Sequence, residues 1–221
     1  MRNPLAIGVA QPTADAESHA SLIRRAGARV VVFPELSFTG YHYDAQPVPE
    51  AAFAPLADAC RDTGAIALVG APLDGRYIAM LRVDADGVSV AYRKLFIAEG
   101  ELPHFIPGDS PVALEVDGWR IGLGICFDTC NAEHWEMTCG LGIDVYAAGV
   151  FDVPDELWTQ DERIAQFRPP GVAVAFASYA DTAGEGYPDG AGHSRIIDKD
   201  GVVVAQAGAN VNEVVTATLT A

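Results

Sequence analysis

The chain has 221 residues, half of them hydrophobic and a fifth charged, with 30 acidic against 14 basic side chains and a formal charge of −16. That apolar content can offset the entropy of ordering one substantial domain, and the acidic balance excludes a general affinity for nucleic acid or anionic membrane, both of which need basic surface. No apolar run approaches a membrane span, and Leu5–Ala10 lacks the basic lead and the length of a secretory signal, so a cytoplasmic protein is expected.

Taken in chain order, apolar and β-branched runs predict strands over Leu5–Gln11, Arg29–Glu35, Ala65–Ala71, Tyr77–Val83 and Val88–Arg93. Helical composition over Ala16–Ala26 and Pro49–Arg61 separates the first three, with Gly27 and Gly64 as terminators. The order then recurs. Strands are predicted at Arg120–Cys126, Ile143–Val150, Val172–Tyr179, Ser194–Asp198 and Val202–Gln206, with helices near Ala132–Gly140 and Pro154–Phe167 and a last strand at Glu213–Leu219. Two Asp-Gly hairpin signals, ending at Gly87 and Gly201, stand about 114 residues apart, close to the offset between corresponding strands. The pattern predicts an α/β chain of two similar halves. No linker separates them, so residues 1–221 are expected to form one domain.

Three residues at strand ends draw chemical interest. Cys126 closes an apolar run before a polar stretch; backbone N–H groups and a helix N-terminus there would favour thiolate and could hold an oxyanion. Glu35 ends another strand among Phe33, Leu36 and Phe38, surroundings that raise a carboxyl pKa toward neutrality. Lys94 follows a strand and precedes a Gly/Pro-rich aromatic loop, where a fixed cation could steady negative charge. Taken singly, a core cysteine, a solvated glutamate and an exposed lysine are the alternatives. Cys60, Cys126, Cys130 and Cys139 fit free thiols in a reducing compartment. Cys126, Cys130, His134 and Cys139 lack the paired spacing of a structural zinc site, so no metal is expected.

Together and in this order, the three segments resemble the carbon–nitrogen hydrolase (nitrilase) superfamily. Phe33-Pro-Glu-Leu-Ser-Phe-Thr-Gly-Tyr41 is similar to its Glu motif, Tyr92-Arg-Lys94 with Glu101 and Phe105-Ile-Pro-Gly108 to its Lys motif, and Gly122-Leu-Gly-Ile-Cys-Phe-Asp128 to its Cys motif. Glu133 falls where the family has a glutamate on the following helix, and Gly192–Gly201 is similar to a fourth family segment. The resemblance implies a four-layer αββα sandwich and a Glu35–Lys94–Cys126 triad, with Glu101 rather than Glu99 as the second glutamate and the Phe127 N–H in the oxyanion hole. It implies hydrolysis of a small amide or carbamoyl compound through a cysteine thioester, with no cofactor, and self-association as a homodimer or higher oligomer through the helix layers. Phe127-Asp128, where true nitrilases carry Trp-Glu, favours amide over nitrile. Nitrile hydrolysis, acyl transfer on the same triad and a catalytically silent scaffold are the alternatives. Phe38, Tyr41, His104, Phe151 and Trp158 either line an apolar pocket or pack in the core.

Overall fold

The computed structural model describes residues 2–184 and 186–221. Two six-stranded sheets carry the chain. The first half runs β1 (Leu5–Gln11), α1 (Ala16–Ala26), β2 (Val30–Val32), α2 (Ala54–Thr63), β3 (Ile66–Leu73), β4 (Tyr77–Asp84) and β5 (Gly87–Arg93). The second runs β6 (Ala113–Val116), β7 (Trp119–Ile125), α3 (Ala132–Cys139), β8 (Val145–Val150), α4 (Trp158–Phe167), β9 (Ala173–Ser178), β10 (Arg195–Ile197) and β11 (Val203–Gln206), and β12 (Glu213–Leu219) returns to pair antiparallel with β1. The strand orders are β12-β1-β2-β3-β4-β5 and β11-β10-β9-β8-β7-β6. Each half therefore repeats three parallel strands with two helical crossovers, then two antiparallel strands, and each sheet gains one extra antiparallel strand beside its first. The four-layer αββα sandwich expected from the two halves is the observed fold.

Alternation along the strands separates three apolar layers. Ile7, Val9, Val30, Val32, Ile121, Leu123 and Ile125 pack between the sheets. Ala10, Val31, Phe33, Ala67 and Val69 face α1 and α2 with Leu22, Ile23 and Leu56, and Tyr146, Ala148, Val174 and Phe176 meet Trp135 and Ile164 under α3 and α4. Burying each such Ile or Leu contributes about 1.5–3 kcal/mol. Asp15 caps α1 by accepting from the Ser18 N–H at 2.7 Å, and Gly27 and Gly64 end α1 and α2 in the left-handed region.

The structure corrects several predicted boundaries. β6 has no predicted counterpart: it is four residues long and gains its order by pairing antiparallel with β7. β2 stops at Val32, because Pro34 has no N–H to continue the ladder and Leu36 turns at φ 48°. The helices predicted from Pro49 and Pro154 each open with a 3₁₀ turn, Glu50–Phe53 and Pro154–Glu156, before the α-helix begins.

Candidate active site

Glu35 lies just beyond β2, on a turn wedged between the two sheets. The Phe38 N–H donates to the Gly70 carbonyl of β3 at 3.0 Å, pulling the turn onto that strand. A Cβ at Gly70 would overlap the Pro34 carbonyl oxygen, and one at Gly149 of β8 would stand 2.5 Å from the Phe33 oxygen and 2.9 Å from the Glu35 nitrogen. Only glycine at these two strand positions lets the turn pass. On the helix side, buried His19 stands 3.1 Å from Ser37 Oγ and its ring centroid is 4.7 Å from that of Phe33. The carboxylate that results has 1% exposure, so a solvated loop glutamate is excluded.

Lys94 continues β5, its N–H bonded to the Ile78 carbonyl at 2.9 Å and its carbonyl accepting from the Gly108 N–H at 2.7 Å. Its Nζ donates to Glu35 Oε1 at 2.7 Å and lies 2.7 Å from both oxygens of Glu101. Glu101 ends a 3₁₀ turn, Glu99–Glu101, and also accepts from the Ala98 N–H at 2.8 Å and the Tyr41 hydroxyl at 3.2 Å. Glu101 is fully buried, whereas Glu99 is exposed.

Cys126 follows β7 directly, at φ 42°, on the first residue of a 3₁₀ turn, Cys126–Cys130. That conformation is strained for a residue with a side chain, and it turns the sulfur off the sheet edge toward the turn holding Glu35. Sγ lies 3.5 Å from the Phe151 carbonyl, and the thiol and the Glu35 carboxyl each shift the other's ionisation. Glu35 Oε2 is buried and has no hydrogen-bond partner among the described residues. The N–H of Phe127 is in the first turn, where a 3₁₀ segment leaves its donors without internal partners.

Electrostatics set the resting protonation. Burial pushes the Glu35 carboxyl up to about 7, against the pull of Lys94 and with the help of Glu101. Burial alone would lower Lys94, but Glu35, Cys126 and Glu101 outweigh it and hold the ammonium above its ordinary range. Burial, reinforced by Glu35, raises the Cys126 thiol well above the usual cysteine value, and Lys94 offsets only part of this. This corrects the expectation that strand-end placement would favour thiolate: a five-residue 3₁₀ turn supplies little dipole, and a carboxylate faces the sulfur. The arrangement sets a thiol and a buried carboxyl, each raised by burial, under each other's electrostatic influence.

A cleft of about 420 Å³ opens over this cluster, lined by Tyr41, Glu101, Cys126, Phe151, Asp152 and Arg163 among others. Tyr41 and Phe151 stack at 4.3 Å to form one wall. Also in the lining, Arg163 grips Asp152 through Nη1 at 3.0 Å and Nη2 at 3.1 Å. Of the five aromatic candidates, only these two line the cleft. Phe38 packs on Phe53 behind the Glu35 turn, His104 borders a separate groove with Tyr43, and Trp158 is 59% exposed. Glu133 is exposed on α3. Gly70, Asp152 and Arg163 escaped the sequence reading; glycine inside a strand was the available signal for the first. No group of three or more His, Cys, Asp or Glu among the described residues is placed to hold a metal ion, and no helix is long and apolar enough to cross a membrane.

A face-to-face αββα sandwich with a buried Glu–Lys–Glu cluster beside a strand-end cysteine defines a narrow class of α/β protein. Residues 9–221 match the sequence model of the Carbon-nitrogen hydrolase family, and the chain belongs to that family. It is 34% identical over 134 residues to a nitrilase from Pyrococcus abyssi (strain GE5 / Orsay), a stretch covering 55% of this chain and 51% of that protein. The chain thus matches about half the length of this curated relative. Among solved structures, an amidase variant from Nesterenkonia sp. AN1, bearing acrylamide added at its active-site cysteine, superposes with a TM-score of 0.80 at 21% identity, covering 96% of this chain and 92% of that one. Nit3 of Saccharomyces cerevisiae, a member of branch 10 of the nitrilase superfamily, gives 0.74 at 17% identity over 97% and 89%. At these identities the structural likeness shows the fold.

Proposed function

We propose that this chain hydrolyses a small non-peptide amide or carbamoyl compound through a thioester on Cys126. One observation carries the reading: the partly open Cys126 thiol and Glu101 line one cleft, and Glu101 binds the buried Lys94 ammonium, itself paired with the buried Glu35 carboxylate. Cys126 sulfur attacks the carbonyl carbon while its proton passes to Glu35. The oxyanion is held by the Phe127 N–H, with the fixed positive charge of Lys94 nearby to steady it. Collapse breaks the carbon–nitrogen bond, with Glu35 returning the proton to the departing nitrogen. Water then attacks the thioester, Glu35 again takes a proton, and the acid leaves as the thiol re-forms. Glu101 holds Lys94 and, through Tyr41, the cleft wall.

The Nesterenkonia protein, an amidase whose active-site cysteine adds to acrylamide in a variant by Michael addition, supports the amide reading by its activity and the cysteine nucleophile by its adduct. The Pyrococcus relative is the observation behind a second reading, nitrile hydrolysis on the same groups. Four free cysteines agree with a cytoplasmic setting. A screen of small amides, ureides and nitriles, read by intact mass for a Cys126 acyl adduct and by ammonia release, tests the function. Turnover without any Cys126 adduct under rapid quench would overturn the covalent mechanism.

A further inference from the structure

Asp128 is buried without exposure two residues after Cys126, and all of its acceptor capacity is directed at the two strand ends that bear Cys126 and Lys94. Oδ1 accepts from the N–H groups of Leu95 at 3.1 Å and Phe96 at 2.8 Å, the two residues after Lys94. Oδ2 accepts from the Ile125 N–H at 2.9 Å, the residue before Cys126, and from the Tyr92 hydroxyl at 2.7 Å, two residues before Lys94. One carboxylate thus ties β5 of the first sheet to the end of β7 of the second. Behind it, the Tyr92 oxygen is 2.9 Å from His134 Nε2, and His134 Nδ1 is 2.8 Å from the Tyr146 hydroxyl, all four side chains buried.

Resting on the triad reading above, we infer that Asp128 is a positioning residue that fixes the separation between Lys94 and Cys126, with Tyr92, His134 and Tyr146 holding its carboxylate in place. Among the described residues, no other side chain accepts from backbone N–H groups next to both Lys94 and Cys126. A carboxylate suits the task because every group facing it is a donor, and hydrogen bonds to a charged acceptor are roughly twice as strong as neutral ones. An amide at this position would present a donor to at least one of those N–H groups.

The charged and titratable groups around the thiol are Glu35, Lys94, Glu101, Asp152, Arg163 and Tyr41, and those around Asp128 are His134, Lys94, Tyr92 and Tyr146. Lys94 lowers both Glu35 and Cys126, so its withdrawal moves both upward. The test is the rate of Cys126 alkylation by iodoacetamide against pH, followed by peptide mass spectrometry. The probe forms a C–S bond and expels iodide while the thiol proton goes to Glu35. Asp128→Asn should slow alkylation at pH 7 at least fivefold and move the midpoint to higher pH, beyond any loss of thermal stability. Tyr92→Phe, which keeps the three backbone bonds, should give a smaller change of the same sign, and it serves as the test if Asp128→Asn does not fold. A lower Tm with unchanged rate and midpoint in the folded variants would overturn the inference, leaving Asp128 a purely structural residue. Glu35→Gln separates the two readings. If it leaves the wild-type profile unaltered, the triad reading fails and takes this one with it; if it abolishes the pH dependence while Asp128→Asn does not alter it, positioning alone is refuted.

Discussion

Glu35 and Lys94 share a 2.7 Å hydrogen bond in which neither side chain has any exposure, although 59 residues separate them in the chain. Because burial pushes Glu35 to about 7 from an ordinary 4.5, acylation should rise with pH and level off above about 7, as the base loses its proton. Initial rates under single-turnover conditions read this limb. A profile flat from pH 5 to 8 would remove Glu35 as the base.

The same raised pKa has a consequence for stability. A carboxyl that holds its proton more tightly when folded contributes stability below its unfolded pKa, and that contribution is lost as pH rises through about 7. Glu35→Gln should therefore raise Tm relative to wild type at pH 8 and show no such gain at pH 4. Calorimetry at the two values checks the sign.

Removing the ammonium acts in the opposite sense. Lys94→Ala leaves Glu35 and Glu101 facing each other in a buried space, and breaking a buried ion pair costs about 3–5 kcal/mol. The loss should be smaller at pH 5.5 than at pH 8, since one carboxyl can then take up a proton. In protein that remains folded, the acylation rate should drop by roughly 10²–10³-fold, as for loss of an oxyanion donor. A change in KM alone would reassign Lys94 to substrate binding.

Cys126→Ala should abolish turnover with an unaltered circular dichroism spectrum, because only one partly open sulfur is removed and its one hydrogen bond is to the Phe151 carbonyl at 3.5 Å. The strained φ of 42° remains in the variant, so no large gain or loss of stability is expected. Activity near wild type would eliminate the nucleophile assignment.

Matched amide and nitrile pairs should be distinguished in favour of the amide, with ammonia or a small amine released and hydroxylamine diverting part of the flux to a hydroxamate. Hydroxylamine competes with water for the thioester, so the hydroxamate reports the acyl-enzyme directly. Acid produced from the nitrile with the amide untouched would reverse the ranking.

The sequence determined the alternating elements and the order of the chemical residues. Period-2 and period-3.6 patterns are local, so β1, β12 and α1 match their predicted bounds, and Glu35, Lys94 and Cys126 each fall at a strand end because a strand's hydrophobic run stops where the edge of its sheet begins. Resemblance in the motifs carried Glu101 as well, since its spacing from Phe105 is legible in one dimension. Only the tertiary structure decided the rest. Whether Glu35 is solvated depends on Gly70 and Gly149, two glycines from different sheets that admit its turn, and no local pattern records that they meet. Trp135 carries the same apolar signal as Trp158, yet it packs on Tyr146 while Trp158 faces solvent; the face of a short helix is set by the sheet beneath it. The state of Cys126 was likewise out of reach. A cysteine's titration depends on what stands opposite it in a desolvated space, and here that is Glu35 and Lys94, brought from the other sheet by the stacking of the two halves.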